Sequence, residues 1–550
     1  MPERSPSGSQ HVTSMLRKWA RLTPNAPATI ANGHVKRRGD GDDDDKSVTY
    51  AETLDRVTKF ASSLLSEGLS EEGRVAVVSL NSHRYFESFF SVAYAGGIIV
   101  PINIRLAPPE MAAIFEDCEP EFVIVDDAFS GIAEKLAGSM PSSFKAFIYA
   151  GENPEAPAGC LHYETLIASG CDKCEDALRG GDDTFGLFYT GGTTGKSKGV
   201  MLTHGNIFVN ALGTCGVMQY SKKTRYLHAA PMFHLADAQM TFAVTIGGGA
   251  HVLIPKFTPP DTLAAIQNAR INKALLVPVM ITFMMKMPNV DDYDMSTLET
   301  ILYGGSPMAE SLLLKAMKMF PNSQFQQGYG MTECSPCISL LPSDQHFEGS
   351  EKLKGAGMPA PWVEVRIVDA KGNELERGKT GEIVVRGPNV MKGYWKQEEK
   401  TKAAIVDGWM HTGDGGYMDD DGFIFLRDRL KDMIVSGGEN VYSSETESAV
   451  QAHPSVAMCA VIGTPDEKYG ELVTAVVTLK PETSLDLAEL KAHCAKLIAG
   501  YKCPRRLEIL DKLPISGAGK ILKHEIRQSF WKDSELSHTQ GSGEQKSSYS

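Results

Sequence analysis

Tyr189-Thr-Gly-Gly-Thr-Thr-Gly-Lys-Ser-Lys-Gly-Val200 packs four glycines and two lysines among hydroxyl side chains within twelve residues. Glycines expose backbone N–H groups, and hydroxyls and ammonium groups add donors and positive charge, so the segment is equipped to cradle phosphates. Taken alone it also fits a flexible Gly-Thr surface loop. A Walker A loop requires Gly-x4-Gly-Lys-Ser/Thr; Gly195-Lys196-Ser197 would then need glycine at 190, where threonine stands. Lys198-Gly-Val-Met-Leu202 reads as extended, whereas a P-loop runs straight into a helix. The loop therefore leads into a strand, and the chain is no P-loop motor or switch.

Outward from this loop, short apolar runs alternate with helical periodicity. Leu54, Val57, Ala61, Leu64 and Leu65 share one helical face, followed by the runs Arg74–Ser79 and Phe122–Asp126. Leu275–Val277 and Ile301–Tyr303 are further candidates for buried strands. Such alternation predicts an α/β fold with largely buried sheets. From about Val363 the rhythm changes to period two, in Val363–Asp369 and Gly381–Arg386, which predicts an antiparallel, barrel-like subdomain. A last unit has strands at Val456–Ile462 and Val473–Leu479, then a helix with Leu487, Leu490, Cys494, Leu497 and Ile498 on one face. The expected organisation is a large N-terminal domain of layered α/β subdomains with the barrel-like one (1–430), a small mobile α+β C-terminal lid (431–532), and a disordered polar tail (533–550). The acidic run Asp42–Asp45 reads as a solvated loop.

A chain of 550 residues exceeds one compact core. Its 42% hydrophobic and 22% charged content is that of a globular protein. A net charge of −13 makes nucleic acid and anionic membranes poor partners, though a local basic pocket stays open. Ten dilute cysteines argue against a disulfide scaffold and for a reducing compartment. The N-terminus lacks the apolar core of a secretory signal, no run reads as a membrane span, and the terminal Ser-Tyr-Ser is not a peroxisomal signal. A cytoplasmic protein, monomeric or homodimeric, is expected.

Seven further segments follow the Gly-Thr loop in order: Pro231-Met-Phe-His234, Tyr303-Gly-Gly-Ser-Pro307, Gln327-Gly-Tyr-Gly-Met-Thr-Glu333, Gly408-Trp-Met-His-Thr-Gly-Asp414, Arg427-Asp-Arg-Leu-Lys-Asp432, Gly437-Gly-Glu-Asn-Val441 and Pro514-Ile-Ser-Gly-Ala-Gly-Lys520. Together the eight resemble the ordered motifs of the acyl-adenylate-forming superfamily, in its acyl-CoA synthetase and aryl-CoA ligase branch. The resemblance covers residues 47 to about 530.

The resemblance implies an ATP-dependent, AMP-forming acid–CoA ligase, with ATP, Mg²⁺ and coenzyme A as cofactors and a small carboxylic acid as partner. It assigns Thr190, Gly191, Gly192, Thr193, Thr194 and Lys198 to the β- and γ-phosphates. Thr332 falls to the α-phosphate and Glu333 to Mg²⁺, a hard cation that prefers oxygen. Asp414 and Arg429 would hold the ribose. Gly304, Gly305, Ser306, Gln327, Gly328 and Tyr329 would hold the adenine, the tyrosine by stacking. Lys520 would be the catalytic lysine, neutralising charge that grows as diphosphate leaves. His234 would stand beside the acyl carboxylate and the thiol tunnel, Lys431 would be the hinge, and Gly437 and Gly438 would admit the pantetheine arm. Two departures are present: Val435 stands where many aryl-CoA ligases carry lysine, and Ser443-Ser444 where proline is common. His411 reads as structural.

The pairs Cys171/Cys174 and Cys334/Cys337 have zinc or redox spacing. The second directly follows the expected Mg²⁺ ligand and the first lies in a polar connector, so both read as incidental thiols. The acyl pocket is expected along His234–Gln239, Tyr303–Met308 and Tyr329–Ser335, without a cationic clamp for a second carboxylate. Asp237, if turned inward, would disfavour dicarboxylates. A monocarboxylic acid is expected, medium-chain fatty before aryl (coumarate- or benzoate-like). Luciferase-like and carrier-protein adenylation are the alternatives; no phosphopantetheine-bearing serine segment follows, and His234 stands where amino-acid activators carry aspartate.

Overall fold

The computed structural model describes residues 11–31, 47–190, 197–306, 308–429, 432–436, 439–466, 468–515 and 521–531. The expected loop at Asp42–Asp45 and the tail at 533–550 lie outside them. The chain divides into two units: the first runs to Leu353 and includes Gly357–Glu364 and Arg386–Gly408, and the second comprises Lys354–Ala356, Val365–Val385 and the chain from Trp409.

Two sheets build the first unit. One has nine strands among the described residues, in the order Met358–Pro359, Cys337–Leu341, Gln324–Gly330, Thr300–Gly304, Lys273–Leu275, Arg225–His228, Ala250–Leu253, Pro27–Ala31 and Ser47–Thr49. Its six central strands run parallel, with antiparallel strands at both edges. The other has eight, in the order Gly393–Tyr394, Lys198–Thr203, Thr184–Thr190, Ile98–Pro101, Arg74–Val78, Phe122–Val125, Ala146–Tyr149 and Cys160–His162. The continuous apolar runs at 75–78, 98–101 and 122–125 are buried, as strands covered by helices on both faces require. Met111, Ile114, Phe115 and Leu136 pack on one face of this sheet.

The helix expected around Leu54 spans Tyr50–Ser66, started by a capping box between Thr49 and Glu52. Its Leu65 is exposed, whereas Val57, Ala61 and Leu64 are buried. One strand shifts: the expected Leu275–Val277 is Lys273–Leu275, because Pro278 opens a helix and draws Val277 into its extended N-cap.

In the second unit, Gly381–Arg386, Trp409–Met418 and Ile424–Arg429 pair antiparallel. Glu364–Val368 flanks Gly381–Arg386, giving the expected barrel-like sheet. A further sheet pairs Val456–Asp466 with Gly470–Leu479, with Arg506–Ile509 parallel to the latter. The helices Ser443–Gln451 and Leu487–Cys494 supply Ala449, Val450, Leu490 and Cys494 to its core. The latter helix is shorter than its apolar periodicity suggests, and Leu497 beyond it is exposed.

Candidate active site

In open parallel sheets, ligands gather at the carboxyl ends of the strands. Three exits of the nine-stranded sheet carry sequence-singled residues, two of them on neighbouring strands and the third one strand further on, beyond Lys273–Leu275. His234 follows Arg225–His228 as the N-cap of the helix Leu235–Gly247. Gly304, Gly305 and Ser306 close Thr300–Gly304 and its exit, with Gly305 at φ +75°. Gln327, Gly328 and Tyr329 lie on Gln324–Gly330, paired in register so that Tyr303 faces Gln327 and Gly304 faces Gly328. A Cβ at Gly304 would stand 2.2 Å from the Gly328 carbonyl oxygen, so close strand approach requires glycine there. Tyr303 is buried, with its hydroxyl 3.3 Å from Gln327 Oε1 and 3.0 Å from His346 Nε2.

Thr332 and Glu333 follow on a short 3₁₀ turn, Thr332–Cys334, after which Ser335 turns left-handed at φ +65°. The backbone N–H of Met391 donates to the Glu333 carbonyl over 2.8 Å. The Asn389 amide bonds the carbonyls of Cys334 (2.7 Å) and Cys337 (2.9 Å), holding the loop from behind. Glu333 is buried, and its Oε1 accepts from the Tyr394 hydroxyl at 2.9 Å. Burial and the neighbouring Glu333 charge both push the Tyr394 hydroxyl well above its ordinary range, so it acts as a neutral donor.

Tyr394 also meets the Gly-Thr loop. Lys198 Nζ lies 4.1 Å from its ring centroid. Thr190 and Lys198 are direct partners in the antiparallel pair that closes the loop, which leads into a strand as its sequence suggests. Gly393–Tyr394 adds to the same sheet beside Met201 and Val200. Lys198 and Glu333 thus meet one tyrosine, the first over its ring and the second at its hydroxyl. Gly191, Gly192, Thr193 and Thr194 lie outside the described residues.

In the second unit, register makes Asp414 and Arg429 direct neighbours across an antiparallel pair. The stretch of the strand Trp409–Met418 just before Asp414 is pinned by Glu382, whose carboxylate contacts His411 Nδ1 at 2.8 Å and accepts from the Gly413 N–H at 3.0 Å. Thr412 Oγ1 accepts from the Asp414 N–H at 3.0 Å and donates to the Ile383 carbonyl at 2.7 Å. Lys431, Gly437, Gly438 and Lys520 lie outside the described residues.

Sequence reading missed Tyr394, Asn389 and Glu382, which hold motif residues from distant segments. Asp237 is turned away from solvent and bonded to His228 Nδ1 at 2.7 Å. Cys171 is exposed and Cys334 buried, all ten cysteines are free thiols, and no group of three or more His, Cys, Asp or Glu that could hold a metal occurs among the described residues. No described helix is long and apolar enough to cross a membrane.

The model of the AMP-binding enzyme family matches residues 16–395, and that of the AMP-binding enzyme C-terminal domain matches 445–520. The chain belongs to the AMP-binding enzyme family. It is 36% identical over 523 residues to a feruloyl-CoA synthase of Amycolatopsis, covering 95% of this chain and 99% of that one. It is 31% identical over 518 residues to a long-chain-fatty-acid–CoA ligase of Mycobacterium tuberculosis, covering 94% and 98%. Among solved structures, ATP-bound MatB of Rhodopseudomonas palustris superposes with a TM-score of 0.83 at 28% identity, over 95% of this chain and 99% of that one. The family matches and these structures agree with a large N-terminal domain followed by a small C-terminal one.

Proposed function

We propose that this AMP-binding enzyme, of the acid–CoA ligase type, activates a monocarboxylic acid with ATP and passes the acyl group to coenzyme A. The acid's carboxylate oxygen attacks the α-phosphorus; the bond to the bridging oxygen breaks and diphosphate leaves. The CoA thiolate then attacks the acyl carbon and AMP departs. A carboxylate is a poor acyl donor because oxide would have to leave, and the mixed anhydride removes that obstacle.

The observation that carries this reading is the Lys198–Tyr394–Glu333 arrangement, a cation and a carboxylate on one aromatic side chain beside the Gly-Thr loop. Anionic phosphates and a hard divalent cation need that pairing, since phosphoryl transfer depends on positioning and charge neutralisation. Mg²⁺ fits a single buried carboxylate because it keeps waters and substrate phosphates as its other ligands. Glu333 would hold it, and the ion would neutralise phosphate charge. Lys198 with Thr190, Gly191, Gly192, Thr193 and Thr194 would grip the outer phosphates, and Thr332 the inner one. Asp414 and Arg429 would take the ribose, Gly304–Ser306 and Gln327–Tyr329 the adenine, and His234 the acyl carboxylate. Lys520 would neutralise charge at the α-phosphate. We place the lid at 431–532, with Lys431 as its hinge and Gly437 and Gly438 beside the pantetheine.

The expected pocket segments supply no cationic clamp for a second carboxylate, which favours a monocarboxylic acid, fatty or aryl; of these we put a medium-chain fatty acid first. The extended similarity to a feruloyl-CoA synthase favours an aryl acid as the second reading. Incubation with ATP, Mg²⁺, CoA and acids of graded chain length, with ferulate alongside, should release AMP and diphosphate and consume the free thiol. Release of ADP, or no turnover with any acid, would refute the proposal.

A further inference from the structure

Beneath the helix Leu235–Gly247 lies a wholly buried polar chain. Asp237 Oδ2 is 2.7 Å from His228 Nδ1, and His228 Nε2 is 2.9 Å from His251 Nδ1. His251 Nε2 is 3.0 Å from Thr245 Oγ1, which donates over 2.6 Å to the Thr241 carbonyl. Asp237, His228, His251 and Thr245 all have 0% exposure. Tyr226, also buried, directs its hydroxyl at Asp237 Oδ1 from 3.4 Å. Tyr220 packs edge-on to Tyr226 and donates to Met240 Sδ, and Phe86 covers His251, so no charged residue is among these neighbours.

Protons in this chain can be counted. Four contacts link Asp237, His228, His251, Thr245 and the Thr241 carbonyl, and a hydrogen bond at each distance needs one proton between its heavy atoms. The carbonyl brings none, the threonine hydroxyl brings one, and two neutral imidazoles bring one each. Three protons therefore serve four contacts. With an ionised Asp237 and two neutral histidines, one contact would set two lone pairs face to face at a site with no solvent exposure, a costly arrangement. One further proton satisfies all four contacts and cancels the Asp237 charge, leaving the buried chain neutral.

We infer that this chain retains one proton beyond those of its two neutral imidazoles, and that the resulting neutral network is a positioning device for His234. The Asp237 backbone N–H donates to the His234 carbonyl at 3.0 Å while its carboxylate is tied to His228. One residue thus clamps the first turn of the helix that His234 caps onto the strands Arg225–His228 and Ala250–Leu253. Asp237 is the one carboxylate in this buried chain and lies 2.7 Å from His228 Nδ1, which places the added proton at that end. Burial, and then the neighbouring His228, hold His251 well below the ordinary imidazole range, in keeping with this. The functional half of the inference rests on reading His234 as an acyl-site residue; the proton count does not.

The test uses the full chain labelled with ¹⁵N-histidine and no substrate. The expected result is both histidines protonated at Nε2 together with a downfield proton in the His228–Asp237 contact, a combination that three protons cannot supply. That downfield proton should be lost in Asp237→Asn, whose amide donates to His228 Nδ1 instead. A His251 protonated at Nδ1 overturns the count. An unmodified chain without that resonance overturns the count whether or not the protein is a ligase. In kinetics, Asp237→Ala should raise the KM for the acid about tenfold or more, with the KM for ATP unchanged. Asp237→Asn should restore the acid KM. An unchanged acid KM in Asp237→Ala, or an equal rise in Asp237→Asn, overturns the positioning role. Should Asp237→Ala fail to fold, the resonance and Asp237→Asn decide.

Discussion

Tyr394 links two residues that sequence motifs treat separately. Its hydroxyl donates to Glu333, 61 positions away, and its ring meets Lys198. A hydrogen bond to a charged group is worth about 1.5–3 kcal/mol. Tyr394→Phe keeps the ring under the lysine and frees Glu333 to rotate. If Glu333 holds Mg²⁺, the metal concentration for half-maximal adenylate formation should rise about tenfold. Titrating diphosphate release against Mg²⁺ checks this, and an unchanged midpoint would show that the bond does not orient the carboxylate. The sequence singled out Lys198, Glu333 and Asp414 as candidates because their motifs are local. Tyr394, Asn389 and Glu382 were not, because each is defined by a partner supplied through strand pairing or loop packing. Asp237 was legible only as a conditional: its chain position gives no direction for its side chain, and the buried imidazole of His228 decides it.

Among elements, the helices Tyr50–Ser66, His83–Tyr94 and Tyr163–Ser169 show where apolar patterning misses energetics. Glu164 on the third accepts from Arg56 on the first (2.8 and 3.0 Å) and from Arg84 on the second (2.7 Å). Arg56 also binds the buried Glu87 at 2.6 Å. Burial alone would raise the Glu164 carboxyl, but the two guanidinium groups outweigh it and lower it from 4.5 to about 2. A carboxyl depressed in the folded chain adds stability that is fully present above its unfolded value and fades as pH falls. The window is therefore pH 4.5 down to about 2. Glu164→Gln should lower Tm at neutral pH, lose less stability than the unmodified chain across that window, and converge with it near the bottom. Thermal melts at stepped pH check this; parallel curves would remove Glu164 from the acid response. The core strands were legible here because continuous apolar runs mark sheets covered on both faces. The shift of one strand to Lys273–Leu275 was not, because its boundary depends on where Pro278 starts the next helix.

At the scale of the whole molecule, Lys198, Thr332 and Glu333 belong to the first unit and Asp414 to the second. The two half-reactions make different electrostatic demands. In the first, negative charge grows on the α-phosphate and the departing diphosphate, so a cation placed there lowers the barrier selectively. In the second, a thiolate attacks a carbonyl already activated by AMP, and no diphosphate leaves. Lys520→Ala should therefore lose adenylate formation by about 10²–10³-fold, the scale of one oriented charge-stabilising donor. It should largely keep thioester formation from a supplied acyl-adenylate, whose anhydride already stores the activation. Diphosphate release with acid and ATP measures the first step, and thioester yield from synthetic acyl-adenylate and CoA measures the second. Equal loss in both would mean that Lys520 supports a structure common to the two steps. No loss in either would return its segment to an ordinary solvated loop, and another cation would have to meet the charge at the α-phosphate.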